Sequence, residues 1–165
     1  MTRAARGGAG AAGLWHSGSG AIATGTSIGK TLVTSLLLRQ LRAKNIEASA
    51  LKPVITGFNR TEANRCDSGI LLSAMGKEVA DTTLDHLSPW RYPDPVSPHL
   101  AARNEPLSCR QLADYCQKNV RGLTLVEGVG GVMAPITPQE TVREWIELLG
   151  YPVILVTGSY LGTFS

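Results

Sequence analysis

The chain has 165 residues, 43% hydrophobic and 18% charged, a balance that fits one globular domain with a real core and excludes a disordered segment. A net charge of +3 is scattered along the chain, without the concentrated basic patch or interleaved aromatic residues of a nucleic-acid surface. The longest apolar run, around Val153–Val156, is too short to span a bilayer, and three cysteines (Cys66, Cys109, Cys116) without a CxxC pair argue for reduced thiols in the cytoplasm rather than disulfides or zinc.

Residues 1–20 are low-complexity, rich in Gly and Ala, with Arg3 and Arg6 and no apolar signal-peptide core. They read as a lead-in or extraneous segment, which leaves residues 21–165 as the folded domain. Ala21-Ile22-Ala23 is a remnant of a first strand, and a turn over Thr24–Gly29 follows. A helix starts at Lys30, with Leu32, Val33, Leu36, Leu37 and Leu41 on the expected apolar face and Arg39, Gln40 and Arg42 toward water. Ile46–Lys52 reads as a second strand, ended by Pro53, and Asp67–Met75 as a short helix stopped before Gly76. Residues 77–96, rich in Pro and Asp, read as irregular. Ser97-Pro98 marks a helix start, and Ser108 with Gln111 forms a capping box opening a helix toward Val120. Leu123–Glu127 is a buried strand that runs into Gly128-Val129-Gly130-Gly131. Thr141–Leu149 is a helix stopped by Gly150, and Pro152–Thr157 is another buried strand. Strands alternating with helices predict an α/β domain built on a parallel sheet with helices on both faces.

Three segments carry chemistry. Gly29-Lys30-Thr31 lies at a strand-to-helix junction, where backbone N–H groups and the positive helix end favour phosphate. Glycine permits close approach, lysine reaches the outer phosphates and the threonine hydroxyl suits Mg²⁺, so the segment reads as a P-loop of the NTPase kind. It is a variant one, because Thr24 stands where the strict pattern has glycine. Glu127 ends a buried parallel strand, on the edge where open α/β sheets bind ligands, and is a natural magnesium ligand beside such a loop. Lys52 ends another strand on the same edge, where a second cation can screen charge during phosphoryl transfer. His99, next to a helix start, reads as structural, and Cys109 and Cys116, seven apart on one helix face, read as packing residues.

Taken together, Ala23–Thr31, Lys52-Pro53-Val54 with Thr56-Gly57, Asp67, Ser97-Pro98-His99, Val126-Glu127-Gly128 with Gly130-Gly131, and Pro152–Val156 with Leu161-Gly162 resemble the dethiobiotin synthase family in identity, order and spacing. The resemblance covers residues 21–165 and implies an ATP- and Mg²⁺-dependent cyclo-ligase. That enzyme closes the ureido ring of dethiobiotin from 7,8-diaminononanoate and CO₂, through a carbamate and a carbamic-phosphoric mixed anhydride. It further implies that Ser27, Ile28, Gly29, Lys30, Thr31 and Leu32 wrap the phosphates, with Glu127, Gly128, Val129 and Gly130 bordering the nucleotide. Thr31, Asp67 and Glu127 would hold Mg²⁺, Lys30 and Lys52 would neutralise the γ-phosphate as the catalytic cations, and Thr26 and Thr56 would contact the diamine or its carbamate. A homodimer is implied as well.

Two departures stand out. His16–Gly20 occupies the place of apolar first-strand residues, which predicts a weakened strand under the loop. The family chain also continues beyond Leu161-Gly162, through segments that include its adenine contacts. The domain is thus expected to be incomplete at its C-terminal end, keeping triphosphate contacts while binding the diamine poorly. The alternatives are a partitioning-type ATPase switch acting through protein partners, against which residues 23–29 lack an early loop lysine, and a non-catalytic fragment of the synthase.

Overall fold

A computed structural model describes residues 19–23 and 28–158. The elements in chain order are β1 (Ser19–Ala23), α1 (Lys30–Ala43), β2 (Ala48–Leu51), β3 (Val54–Thr56), α2 (Asp67–Ala74), α3 (Asp81–Leu87), β4 (Trp90–Tyr92), α4 (Pro98–Ala101), α5 (Cys109–Asn119), β5 (Leu123–Gly131), α6 (Val142–Leu149) and β6 (Val153–Val156). Four strands form one parallel sheet in the order β2-β5-β1-β6. Because all its strands run the same way, their C-terminal ends gather on one edge, where Lys52 and Glu127 lie.

The sheet is covered on both faces, as expected of an α/β P-loop-type domain. Adjacent strand residues point to opposite sides. In β2, Ala50 joins a core with Leu38, Leu71, Leu72, Leu84 and Leu87, whereas Leu51 joins a second core with Leu112, Cys116 and Trp145. In β5, Leu125 belongs to the first core and Val126 to the second. Cys109 and Cys116 are fully buried in that second core, and burial pushes both thiols up to about 12.

Helix punctuation follows local chemistry. In the first turn of α5, Ser108 Oγ accepts from Gln111 N at 3.1 Å and Gln111 Oε1 accepts from Ser108 N at 2.9 Å. Thr141 and Glu144 repeat that box at α6, and Gly150 closes the helix in the left-handed region at φ 63°.

Four expectations need correction. The first strand takes in Ser19 and Gly20 despite their weak β propensity, because β5 and β6 flank it and supply its ladder from both sides. The apolar face of α1 is rotated: Leu32 and Leu36 are 61% and 49% exposed, while Lys30, Thr34, Ser35 and Leu38 face inward. Thr34 Oγ1 donates to Lys30 O and Ser35 Oγ to Leu32 O, both at 2.9 Å. Hydroxyls satisfied by their own helix can be buried, which lets Lys30 face the sheet edge. The stretch 77–96 is ordered, containing α3 and β4, and β4 pairs in parallel with β3 as a second, two-stranded sheet. Its aromatic residues supply what its local turn signals conceal: Trp90 stacks edge-on against Tyr115 with centroids 5.4 Å apart. Finally, among the described residues β6 lies at the edge of the sheet, and Val153 and Leu155 are 48% and 54% exposed where a buried strand was expected.

Candidate active site

The site grows from the start of α1. Gly29 caps the helix at φ 102°, a left-handed conformation that strains any L side chain. Lys30 and Thr31 are the first two helical residues, so the positive end of the helix lies beside their side chains.

Two strands bring the remaining groups. Leu51 pairs with Val126 in the β2–β5 register, which sets the following residues, Lys52 and Glu127, side by side at the strand ends. Lys52 Nζ donates to Glu127 Oε1 at 2.8 Å and approaches Gly128 O at 3.4 Å. Asp67, first residue of α2, lies on the same ammonium, its Oδ2 3.2 Å from Nζ. Thr31 Oγ1 donates to Glu127 Oε1 at 2.7 Å. Thr31, Lys52, Asp67 and Glu127 thus form one cluster, although they come from four separate segments.

Burial sets the electrostatics. The side chains of Lys52 and Glu127 are 3% and 0% exposed, that of Asp67 46%. Burial alone would weaken the Lys52 proton, but the Glu127 and Asp67 carboxylates outweigh it and hold the ammonium above the ordinary lysine value. Burial opposes ionisation of Asp67 too, yet Lys52 beside it keeps that carboxyl below its usual value. Lys30 is shifted the other way, its pKa lowered by burial and then by the positive charge of Lys52.

Lys30, Thr31, Lys52 and Asp67 border a cavity of about 270 Å³, whereas the fully buried Glu127 does not line it. Its lining comes from the start of α1 (Gly29, Lys30, Thr31, Leu32), from the β2–β3 segment and the start of α2 (Lys52, Ile55, Thr56, Asp67), and from β5 (Val129, Gly130). Gly130 sits at φ 64°, where a Cβ would fall 2.7 Å from the Ala134 Cβ. Gly128 is buried within β5 and does not line the cavity, and Ile28 is half-buried just before the Gly29 cap. Ser27 and Thr26 lie outside the described residues, as does the stretch from Leu161 onward. His99 does not line the cavity; its Nδ1 lies 2.9 Å from Ser97 Oγ.

The donor set fits a magnesium ion. Glu127 Oε2 is buried without a hydrogen-bond partner, an orphaned anionic oxygen that calls for a cation. A hydroxyl and two carboxylates are hard oxygen donors, and a small number of carboxylates combined with phosphate oxygens is the usual magnesium arrangement. Among the described residues no cluster of three or more His, Cys, Asp or Glu exists that could hold a metal by protein groups alone.

Sequence reasoning did not single out Ile55, Ser68 or Ser88. The two serines are completely buried and hydrogen-bonded to each other behind Lys52. A lone buried serine has no periodicity or spacing to betray it, and Ser88 lies in the stretch read as irregular.

A parallel sheet with a Gly-Lys-Thr helix start and a strand-end acid at its C-terminal edge defines a P-loop-type nucleotide-binding α/β protein. A family profile described as "AAA domain" matches residues 21–165. The chain is 46% identical to the ATP-dependent dethiobiotin synthetase of Acidiphilium cryptum, over 87% of this chain and 67% of that protein. It is 39% identical to the synthetase of Methylobacterium nodulans over 86% and 67% of the two chains, and 42% identical to that of Phenylobacterium zucineum over 85% and 62%. The chain belongs to the dethiobiotin synthetase family, and it spans about two thirds of the length of these curated relatives.

Proposed function

We propose that the chain carries the ATP-handling site of a dethiobiotin synthetase, an ATP- and Mg²⁺-dependent ligase that forms the ureido ring from 7,8-diaminononanoate and CO₂. The observation that carries this reading is the convergence of Thr31, Lys52 and Asp67 on the cavity beside Gly29-Lys30, with Glu127 bonded to Thr31 and Lys52 beneath them.

In this reaction one amine captures CO₂ as a carbamate. A carbamate oxygen forms a bond to the γ-phosphorus while the bond from that phosphorus to the bridging oxygen of ADP breaks. The second amine then forms a C–N bond to the activated carbonyl, phosphate leaves, the amine gives up its proton and the ring closes. The protein has little covalent work to do; it must align reactants and stabilise moving negative charge. Lys30, at the helix start, is suited to grip the outer phosphates. Lys52, fixed by two carboxylates, offers a pre-oriented cation that needs no reorganisation when charge shifts toward the transferred group. Thr56, on the cavity wall, offers a hydroxyl to the diamine or its carbamate, and Thr26 is assigned the same role on the family resemblance. Thr31, Asp67 and Glu127 would hold Mg²⁺, which supplies charge neutralisation across the phosphates. Ser27 to Leu32 and Glu127 to Gly130 are assigned to the nucleotide, and a homodimer in the cytoplasm completes the proposal.

The test is ADP release by the purified chain with and without diaminononanoate, alongside mass-spectrometric detection of dethiobiotin. ADP release that rises with the diamine and is accompanied by dethiobiotin, even at a low rate, supports this reading. ADP release indifferent to the diamine would replace this reading with that of an ATPase switch.

A further inference from the structure

A buried ammonium is placed only as well as its backbone. The main chain at Lys52 and Pro53 is held by the turn between α3 and β4. Lys52 N donates to Leu87 O at 3.0 Å, Ser88 Oγ donates to Lys52 O at 2.6 Å, and Trp90 N donates to Pro53 O at 3.1 Å. Of these three bonds, that of Ser88 is the one made by a side chain. Ser88 is completely buried, and its oxygen also lies 2.6 Å from Ser68 Oγ.

Proton counting gives this pair a direction. A hydroxyl has one proton to donate. Ser88 directs its proton to the Lys52 carbonyl, so Ser68 must donate to Ser88. Ser68 immediately follows Asp67 and is itself fully buried. A relay therefore runs from Ser68, through Ser88, to the carbonyl of Lys52, and it connects the backbones of the two residues whose side chains form the Lys52–Asp67 ion pair. Ser88 is itself anchored: its N–H donates to Leu84 O at 2.7 Å, and its carbonyl accepts from Arg91 Nη1 at 2.6 Å. Arg91 Nη2 in turn pairs with Asp85 at 2.5 Å.

We propose that Ser88 is a positioning residue, which through its bonds to Lys52 O and Ser68 Oγ sets the spacing between Lys52 and Asp67 and so seats the Lys52 ammonium against Asp67 and Glu127. The kinetic consequence rests on the synthetase reading above; the geometric one does not. Without the Ser88 hydroxyl, the Lys52 carbonyl and the Ser68 hydroxyl lose their partners in a dry interior, and the strand end relaxes to find new ones.

The test follows the Lys52 ammonium directly, in ¹H–¹⁵N spectra of lysine side chains of the whole chain, with the signal assigned by its loss in Lys52→Gln. Ser88→Ala is expected to shift or broaden that signal. Ser68→Ala, which keeps the Ser88–Lys52 bond, should do so less. In turnover, Ser88→Ala should lower kcat about fivefold with KM for ATP changed less than about twofold, and should add no further loss in a Lys52→Gln background, because it acts through that lysine. An unchanged Lys52 signal in a folded Ser88→Ala protein, or a kcat loss that multiplies with that of Lys52→Gln, overturns the proposal. If Ser88→Ala does not fold, the decision passes to Ser68→Ala, where an unmoved signal overturns it. A chain that makes no dethiobiotin but shows the predicted signal changes would remove the synthetase reading and leave the role of Ser88 standing.

Discussion

Replacing Lys52 by methionine removes the cation from the cluster while conserving most of the side-chain volume. The structure locates the cost. Glu127 is completely buried, with one oxygen already unpartnered and the other shared by Lys52 at 2.8 Å and Thr31 at 2.7 Å. Without Lys52 it becomes an uncompensated buried charge, a loss of about 3–5 kcal/mol. Asp67 is 46% exposed, so solvent screens it and its share is roughly 0–1 kcal/mol. For a chain of 165 residues a loss of about 3 kcal/mol lowers the melting temperature by roughly 6–12 °C. Most of this deficit arises from Glu127 and should be recovered in the double variant Lys52→Met, Glu127→Gln, since replacing both members of a buried ion pair by neutral groups is often close to neutral. Urea titration of the wild type, both single variants and the double variant measures each quantity. A Lys52→Met loss below about 1 kcal/mol, or a double variant no more stable than Lys52→Met alone, would refute the reasoning that Glu127 depends on Lys52.

Lys30→Ala should weaken ATP binding roughly 10- to 100-fold in calorimetry, by loss of a charge-assisted contact, while circular dichroism shows the fold retained. Because burial and Lys52 lower the pKa of Lys30, its charge is lost at a lower pH than that of an ordinary lysine; ATP affinity should therefore fall as pH rises toward 10.5, and Lys30→Arg should flatten the profile. Lys52→Gln should lower kcat on the order of 100-fold with a far smaller change in KM for ATP, consistent with a cation acting on developing charge, and equal losses in both would indicate ground-state binding instead. Asp67 has a lowered pKa in the fold, so its stabilisation is present above the ordinary value of 3.8 and is lost as pH falls through the folded value; acid titration of stability should show that component in the wild type and lack it in Asp67→Asn. Gly69→Ala would set a Cβ 2.1 Å from the Ala63 carbonyl oxygen, an overpacking that should cost roughly 1–3 kcal/mol in urea titration and shift the helix that bears Asp67.

Features that depend on neighbours along the chain were legible in the residues alone. The capping boxes at Ser108 and Thr141, the Gly150 stop and the Gly29-Lys30-Thr31 helix start are each contained within a few residues. So is the alternation of strand and helix that announces a parallel sheet, and the strand-end positions of Lys52 and Glu127 followed from that alternation. Other features were decided only by the tertiary structure. Leu32 and Leu36 were exposed and Thr34 was buried because α1 must turn Lys30 toward the sheet edge, a constraint that hydrophobic spacing does not register. The Pro- and Asp-rich stretch became α3 and β4 because β3 offered a strand to pair with and Tyr115 a ring to stack on. The cluster itself joins residues far apart in sequence: Thr31 meets Glu127 across 96 positions, Lys52 meets Glu127 across 75, and Ser88 reaches Lys52 across 36. Propensity and capping act within a turn or two of the chain. Partners for a buried charge or hydroxyl are instead selected by whichever groups the folded sheet and its helices bring within about 3 Å, a choice made only when the core closes.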